Sequence, residues 1–319
     1  MSTEARKAII VAGPTAVGKS EYAVEIAERY GGEVVSADSM QVYKGLDIGT
    51  AKPPRELLDR VPHHLIGVID PASEFSAAAY REIAAEAIRD TFRRGKLPVI
   101  AGGTGLYIHG LLYGMEFSGA GRDDALREKY EAMASEFGNL AIYDILIEKD
   151  PAVAERIHPN NRKKVIRALE RIERGGETDG LRTFAESRVP GGLFDPIFLL
   201  LTRDREELYR RVEARVDALM DAGLADEVRG LMDSGLSRAH MSMLGIGYKE
   251  LLGCFEGEYD MTRAVYLIKL HTRRYAKRQL TWFKRYGDAH VFNLSVYDGD
   301  REAALREVFR EIDGALATT

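Results

Sequence analysis

Residues 13–20 read Gly-Pro-Thr-Ala-Val-Gly-Lys-Ser and match the phosphate-loop pattern G-x-x-x-x-G-K-S/T. An apolar, β-prone run at 8–12 precedes the loop, and a helix-prone run at 21–29 follows it. In this strand–turn–helix context the glycines let backbone N–H groups surround an anion, and the helix N-terminus adds positive charge. The motif predicts binding of an unspecified di- or triphosphate. The alternative is a glycine-rich turn with an incidental Gly-Lys-Ser.

The loop supplies candidate ligands for a phosphate and its metal ion. The Lys19 ammonium can pair with phosphate oxygens, and the Ser20 hydroxyl can ligate Mg²⁺. The predicted diphosphate-binding residues are Gly13, Thr15, Ala16, Val17, Gly18, Lys19 and Ser20.

Strand-like and helix-like segments alternate through the first third of the chain. Strands are predicted at 33–37 and 97–101, and a helix between them runs from Ser76, a plausible N-cap, to Arg94. A further helix is expected at 106–113. This alternation predicts an α/β fold, a parallel sheet with helices on both faces.

Three polar residues stand just past the ends of predicted strands: Lys19, Asp38 and Thr104. Parallel sheets bind ligands beyond the carboxyl ends of their strands, so these residues are expected to share one crevice. Asp38 has three interpretations: a turn cap, a Mg²⁺ ligand, or a general base for an attacking hydroxyl or amine. Gln41 nearby offers an amide edge that can pair with adenine.

The alternation stops after about residue 115. Helices are predicted at 123–137 and 161–174, and a buried strand resumes at 196–201. The predicted division is a phosphate-loop core, 1–115 and 191–319, interrupted by an all-helical insertion, 116–190.

The helix predicted at 204–221 carries Arg211 and Arg215 four residues apart, on one side of its apolar stripe. They are either a solvated pair or include an arginine that reaches the phosphate crevice, where a planar guanidinium suits a diphosphate. His63 and His64 precede an apolar run taken as a strand, and a structural role is expected for them.

The strand at 97–101 ends without the acidic residue that nucleotide hydrolases usually place there for Mg²⁺. The site therefore holds a phosphate cradle and a candidate base without the full ATP-hydrolysing set. The single cysteine, Cys254, excludes an intramolecular disulfide and a four-cysteine zinc site. With no apolar run of about 18 residues and no leader-like N-terminus, we expect a cytoplasmic protein with no membrane partner, monomeric by default.

A net charge of −5 argues weakly against a nucleic-acid partner, but the charge is uneven. Residues 262–286 carry eight Lys and Arg and no acidic residue, and 162–174 is a second basic stretch diluted by glutamates. Each stretch alone can be a solvated helix face. Aromatic residues interleave with the first, so some of them can stack on unpaired bases while cations meet phosphates. They are Tyr266, Tyr275, Trp282, Phe283 and Tyr286.

Longer segments carry a specific resemblance. The run at 38–53, Asp-Ser-Met-Gln-Val-Tyr-Lys-Gly-Leu-Asp-Ile-Gly-Thr-Ala-Lys-Pro, and the run at 272–283, Thr-Arg-Arg-Tyr-Ala-Lys-Arg-Gln-Leu-Thr-Trp-Phe, are the most distinctive. Shorter matches occur at 62–65, 102–107, 158–160, 167–170 and 245–250. Together with the phosphate loop, the chain resembles the bacterial tRNA dimethylallyltransferases (tRNA isopentenyltransferases) from about residue 8 to 294.

The resemblance implies transfer of a dimethylallyl group from dimethylallyl diphosphate, with Mg²⁺. The acceptor is the exocyclic amine of the adenine 3′ of the anticodon, in tRNAs reading codons that begin with U. It further implies that Asp38 is the general base, that Thr104 hydrogen-bonds near the bridging oxygen, and that Arg215 contacts the diphosphate. The implied tRNA-binding residues are Asp38, Ser39, Met40, Gln41, Thr104, Arg127, Lys163, Lys164, Val165, Ile166, Arg167, Gly247, Tyr248, Lys249, Lys277, Arg278, Trp282 and Arg285.

The chain departs from the family at 175–181, where relatives usually have a run resembling Gly-Lys-Pro-Leu-Ser, and it lacks the zinc finger of eukaryotic relatives. Two other functions are compatible with the residues. One is a small-molecule kinase of the adenylate or shikimate type, in which Asp38 activates a hydroxyl. The other is a non-catalytic RNA-binding adaptor with a relict phosphate loop.

Overall fold

The computed structural model describes residues 6–113, 123–175, 188, 192–297 and 299–318. The chain divides into two compact units, one formed by Met1–Leu112 with Gly192–Thr319 and the other by Tyr113–Gly191. Most of the segment at 175–181, where the sequence departs from its family, lies outside the described residues, as do the predicted boundaries near 116 and 190.

The first unit is built on a sheet in which all strand pairings of the described residues are parallel. Its strands are β1 (Lys7–Ala12), β2 (Gly32–Ser36), β3 (His63–His64), β4 (Leu97–Gly102), β5 (Asp195–Thr202) and β6 (His290–Asn293). They are arranged in the order β3-β2-β4-β1-β5-β6. The predicted parallel α/β sheet is therefore confirmed. The register pairs Ala12 with Gly102 and Ser36 with Ala101, so the carboxyl ends of β1, β2 and β4 meet at one edge.

Helices connect these strands, and helices also make up the described part of the second unit. In chain order they are α1 (Lys19–Tyr30), α2 (Arg55–Leu58), α3 (Ala77–Arg93), α4 (Gly105–Leu112), α5 (Asp124–Phe137), α6 (Asn139–Lys149), α7 (Pro151–Ala154), α8 (Arg162–Glu173), α9 (Arg205–Asp221), α10 (Leu224–Asp233), α11 (Tyr248–Phe255), α12 (Met261–Phe283) and α13 (Arg301–Ala317). Within the described ranges, no helix combines the length and apolar character that crossing a membrane requires.

Both faces of the sheet are covered by helices, as the sequence predicts. Alternate residues of a strand point to opposite faces. Ile9 and Val11 lie in one core with residues of α1 and α13. On β5, Phe198 packs edge-on against Phe283 and Tyr286 at the end of α12, with ring centroids 6.4 and 4.9 Å away. All these side chains are buried. The central strands are therefore apolar on both sides.

The prediction for the two histidines is wrong in its placement. His63 and His64 do not precede a strand but form β3 themselves, pairing with Val34 and Val35. His64 Nε2 lies 2.7 Å from the carboxylate of Glu33, which is almost fully buried. A short strand at the sheet edge has one strand neighbour and can carry polar side chains, which is why no apolar pattern marks it.

The described part of the second unit consists of α5 to α8 around its own apolar core. Tyr130, Ile142, Leu146, Val165 and Leu169 are at most 1% exposed. Two of the four helices coincide with the predicted segments 123–137 and 161–174. Each unit thus has a separate hydrophobic core, which allows one to be perturbed without the other.

Candidate active site

The phosphate loop joins β1 to α1, as its sequence context predicts. Gly18 has φ of 110°, in the left-handed region that glycine tolerates best, and directly precedes the first turn of α1. The next residue, Lys19, turns its ammonium back across the loop, where Nζ donates to the Pro14 carbonyl oxygen at 2.8 Å. The loop therefore presents a cation and a helix N-terminus together.

A cleft of about 550 Å³ opens beyond the carboxyl ends of the strands. The predicted site residues that line it are Thr15, Ala16, Gly18, Lys19, Ser20, Asp38, Gln41 and Arg215. Predicted residues outside this lining include Gly13, Val17, Ser39, Met40 and Thr104. Gly13 and Val17 are buried, and neither has a polar side chain, so these two loop residues can bind a ligand only through their backbone.

The cleft is electropositive where the loop meets α9. Burial lowers the pKa of Lys19 to about 8; the negative charge of Asp38 raises it in part, and the positive charge of Arg215 lowers it further. Burial also lowers the pKa of the Arg215 guanidinium. Arg211 and Arg215 both line the cleft, and Arg211 Nε donates to the Ala16 carbonyl oxygen at 2.9 Å. The solvated-pair alternative is therefore wrong for Arg215, which is partly buried in the lining of the cleft, whereas Arg211 lines the cleft but stays exposed.

Asp38 closes a turn immediately after β2. Its Oδ1 accepts hydrogen bonds from Met40 N at 2.9 Å and Gln41 N at 3.3 Å. The turn-cap interpretation is thus correct. Capping the turn does not exclude a second role for Asp38, because the residue also lines the cleft. Both amides use the same oxygen, so these bonds leave Oδ2 to other partners.

Thr104 stands behind the lining rather than in it. Its Oγ1 accepts from Ser39 N at 3.0 Å and lies 3.3 Å from Ser39 Oγ, which ties the turn after β4 to the turn after β2. Tyr275 of α12 does line the cleft. Burial and the charge of Asp38 raise the pKa of the Tyr275 hydroxyl, against hydrogen bonds from Thr104 and Gln279. The phenol therefore stays neutral at physiological pH.

Gln279 is a site residue whose role no sequence pattern indicates. Its Oε1 accepts from Thr15 N at 2.8 Å, and its Nε2 donates to the Gly103 carbonyl oxygen at 3.0 Å. The side chain is 5% exposed and lines the cleft. Its place in the distinctive run 272–283 was a signal, but the partners lie more than 170 positions away and cannot be read from that run.

The protein groups available to a metal ion in the cleft are few. Among the described residues, no group of three or more His, Cys, Asp and Glu side chains could hold a metal ion. Ser20 lines the cleft beside Lys19 and offers one hydroxyl oxygen. Mg²⁺ often takes one or two protein oxygens and completes its shell with phosphate and water, so this donor set fits it.

The outer face of α12 carries a basic groove of about 510 Å³. Its lining residues are Arg274, Lys277, Arg278, Thr281, Trp282 and Arg285. The guanidinium of Arg278 lies 5.7 Å from the Tyr275 ring centre, and that of Arg285 lies 5.2 Å from the Trp282 ring. Phe283 and Tyr286 of the same run are buried and belong to the core.

Tyr248 is a correction to the predicted tRNA-binding set. The residue is 1% exposed, and its hydroxyl donates to Glu227 Oε1 at 2.6 Å. Its side chain therefore serves the fold and cannot reach RNA. Gly247 is also buried, whereas Lys249 is partly exposed and lies 3.7 Å from the carboxylate of Glu250.

In the second unit, helical periodicity divides the predicted tRNA-binding residues at 163–167 into exposed and buried positions. Lys163, Lys164 and Arg167 are exposed on α8. Val165 and Ile166 are buried in the unit's core, so a contact between their side chains and RNA is wrong.

Arg127, predicted to meet tRNA, is engaged within the second unit. Its Nε and a terminal nitrogen each lie 2.9 Å from the carboxylate of Glu170. Both nitrogens contact the same oxygen, Oε2, and because Glu170 is 4% exposed, this ion pair compensates a buried charge.

Comparisons with known proteins identify the family of this chain. A family model described as IPP transferase matches residues 41–286, and one described as Isopentenyl transferase matches 6–66. A tRNA dimethylallyltransferase of Alkaliphilus oremlandii is 47% identical over 293 residues, 92% of this chain and 93% of the relative. A tRNA dimethylallyltransferase 2 of Geotalea uraniireducens is 48% identical over 280 residues, 88% and 89% of the two chains.

Solved structures give the same assignment. A tRNA isopentenylpyrophosphate transferase of Bacillus halodurans matches with a TM-score of 0.73 and 38% identity, over 99% of this chain and 98% of the other. A eukaryotic dimethylallyltransferase, solved acting on tRNA, matches with a TM-score of 0.79 and 29% identity, over 97% and 80%. The kinase alternative finds no support in these relatives. With a family model matching most of its length, the chain belongs to the IPP transferase family.

Proposed function

We propose that the protein transfers a dimethylallyl group from dimethylallyl diphosphate to the exocyclic amine of the adenine 3′ of the anticodon, in tRNAs that read codons beginning with U. The observation that carries the proposal is that Lys19, Ser20, Arg215 and Asp38 line one cleft. Lys19, Ser20 and Arg215 are suited to binding a diphosphate, and the Asp38 carboxylate is suited to accepting a proton.

The reaction separates charge at the allylic carbon. The C–O bond to the diphosphate breaks while a bond from the adenine nitrogen to the same carbon forms. The amine is a poor nucleophile because its lone pair is delocalised into the ring, and an allylic carbon compensates by carrying positive charge. Once bonded to carbon, the nitrogen is strongly acidic, and Asp38 Oδ2 accepts its proton. The products are the alkylated adenosine and free diphosphate.

Stabilising the leaving diphosphate is the main task of the cleft. Lys19 and Arg215 supply two cations, and the backbone amides at the start of α1 supply dipoles. Ser20 would hold a Mg²⁺ ion together with the diphosphate, and the ion would supply further positive charge against the growing negative charge. Thr104, which holds Ser39 and hydrogen-bonds to Tyr275, acts on the reacting end of the substrate through Tyr275, because Tyr275 lines the cleft and Thr104 does not.

The target base leaves its stack to enter the cleft. Asp38 and Gln41 meet it there. Because Gln41 Nε2 donates to the carbonyl oxygens of Thr50 and Ala51, its Oε1 is the atom that would accept from the adenine amine. The groove on α12 and the exposed cations of α8 bind the phosphate backbone of the anticodon stem-loop. An acidic protein thereby acquires a basic surface on each of its two units. It acts in the cytoplasm as a monomer.

The test is alkylation of tRNA that lacks the modification. The full-length protein is incubated with unmodified tRNA, Mg²⁺ and dimethylallyl diphosphate, and the nucleosides are analysed by mass spectrometry. We expect N6-isopentenyladenosine at the position 3′ of the anticodon, with one diphosphate released for each modified base. An unaltered adenosine, with phosphate transfer from labelled ATP to a small acceptor, would favour the kinase instead.

A further inference from the structure

The carboxylate of Glu227 accepts hydrogen bonds from four donors. Its Oε2 accepts from Asp47 N at 2.9 Å and Ile48 N at 2.7 Å. Its Oε1 accepts from Gly49 N at 3.0 Å and from the Tyr248 hydroxyl at 2.6 Å. Three successive backbone amides thus converge on one side chain of α10, an arrangement that recurs where backbone N–H groups form an anion-binding concavity.

The packing around this carboxylate allows little movement. A β-carbon on Gly49 would lie 2.5 Å from Cζ of Tyr248, so only glycine lets the loop approach the ring. Burial and the hydrogen bond to Glu227 raise the pKa of Tyr248, which keeps its hydroxyl a donor. The loop at 47–49, the Tyr248 ring and the Glu227 carboxylate therefore fix one another's positions.

The held loop leads directly into the cleft. Gln41 Nε2 donates to the carbonyl oxygens of Thr50 at 3.3 Å and Ala51 at 3.2 Å. Gln41, Thr50 and Ala51 all line the cleft. Ala51 has φ of 46°, which a non-glycine residue adopts only when its surroundings impose it. Ala51 N donates to the Ile48 carbonyl oxygen at 2.8 Å, so this strained turn is continuous with the amides that Glu227 binds.

We propose that Glu227 is a positioning residue: by fixing the turn at 47–51, it orients the Gln41 amide at the end of the cleft that receives the base. This inference rests on the proposed function. The phosphate loop at 13–20 is anchored separately, by β1 and α1. Loss of Glu227 is therefore expected to impair use of the RNA substrate and to spare binding of the diphosphate.

The first measurement is amide hydrogen exchange across residues 46–51, by mass spectrometry of the full-length protein. Glu227→Ala removes all four acceptor contacts, and Glu227→Gln keeps the volume but replaces one acceptor oxygen with a donor. Asp226→Asn is the matched control, because it removes the same charge from the neighbouring, exposed position of α10. We expect exchange at least about tenfold faster in both Glu227 variants than in the control, as loss of charge-assisted hydrogen bonds requires.

The second measurement separates positioning from a general loss of structure. With an anticodon stem-loop RNA as acceptor, we expect kcat/KM to fall roughly 10- to 100-fold in both Glu227 variants. The dissociation constant for dimethylallyl diphosphate should stay within about twofold of the control. Should Glu227→Ala fail to fold, Glu227→Gln carries both measurements.

The inference would be overturned by unchanged exchange at 46–51, or by faster exchange with unchanged kcat/KM. A parallel loss of diphosphate affinity would do the same, because it would mark a general disturbance. If the control and the wild-type protein do not alkylate RNA at all, the proposed function is wrong, and the exchange rates still decide whether Glu227 holds the turn.

Discussion

At the scale of single residues, Asp38 combines a structural bond with a place in the cleft. Its Oδ1 holds the turn that leads to Gln41, and Oδ2 is the oxygen assigned to the amine proton. Substitutions must therefore separate turn geometry from proton transfer. Asparagine keeps an acceptor oxygen for the two amides and cannot act as a base, whereas alanine loses both functions.

We predict that Asp38→Asn and Asp38→Ala each lower turnover by about two to four decades, the usual contribution of a positioned base. Binding of dimethylallyl diphosphate should persist in both, because the phosphate loop is intact. Single-turnover rates and equilibrium binding are the measurements. Near-wild-type turnover in Asp38→Asn would show that Asp38 is not the general base.

Lys19 makes diphosphate affinity depend on pH. Burial lowers its pKa to about 8, and a bound diphosphate favours the protonated ammonium. Affinity should therefore be full below pH 8 and fall as pH rises through that value, by up to about tenfold per unit. Titration calorimetry between about pH 7 and 9.5 tests this, because the phosphates, with a second pKa of about 6, stay ionised throughout that window.

The control is Lys19→Arg, whose guanidinium stays charged across that range. Its profile should be flat, whatever its absolute affinity. A wild-type profile that is equally flat would show that the ammonium does not titrate in this window.

At the scale of elements, α12 serves two surfaces at once. Tyr275 and Gln279 point into the cleft, while Lys277 and Arg278 are exposed and line the basic groove. A helix presents residues on opposite sides within one turn, so one segment can contact the phosphate loop and present cations to RNA.

We predict that Lys277→Ala with Arg278→Ala weakens tRNA binding and reduces the slope of log K against log salt by roughly 1.5, because two phosphate contacts are lost. Arg306→Ala with Arg310→Ala removes the same charge from exposed positions of α13 and should leave the slope unchanged. Binding isotherms at several salt concentrations provide the measurement. Identical slopes in the wild type and the α12 variant would assign these cations to the fold.

At the scale of the whole molecule, the buried apolar clusters formed by the described residues each lie within one of the two units. The core of the second unit is formed by residues of α5 to α8 and includes the fully buried Ile142. The cleft residues belong to the first unit. Each core can therefore be altered while the other is used as an internal reference.

We predict that Ile142→Ala destabilises the second unit by about 2–5 kcal/mol, the usual cost of a cavity left by a large aliphatic side chain. Dimethylallyl diphosphate should bind with unchanged affinity, because its ligands lie in the first unit. Denaturant unfolding and calorimetry measure the two effects. A diphosphate affinity that falls together with stability would contradict the independence of the two cores.

Much of the fold could be predicted because it depends on local pattern. The runs at 8–12, 33–37 and 97–101 are short and apolar, and the structure has strands there to within one or two residues. Ser76 was predicted as an N-cap, and its Oγ accepts from Ala79 N at 3.1 Å. The edge strands β3 and β6 escaped prediction because an edge position does not require a continuous apolar run.

The sequence by itself determined the phosphate loop, the succession of central strands and helices along the chain, and the two basic stretches. These follow from residues close together in the chain, through backbone preference and periodicity. Tertiary structure decided which polar side chains serve the cleft. Arg215 lines it, Tyr248 is buried, and Glu227 reaches amides nearly 180 positions away. Such contacts depend on how helices pack against strand ends, and no local pattern records that packing.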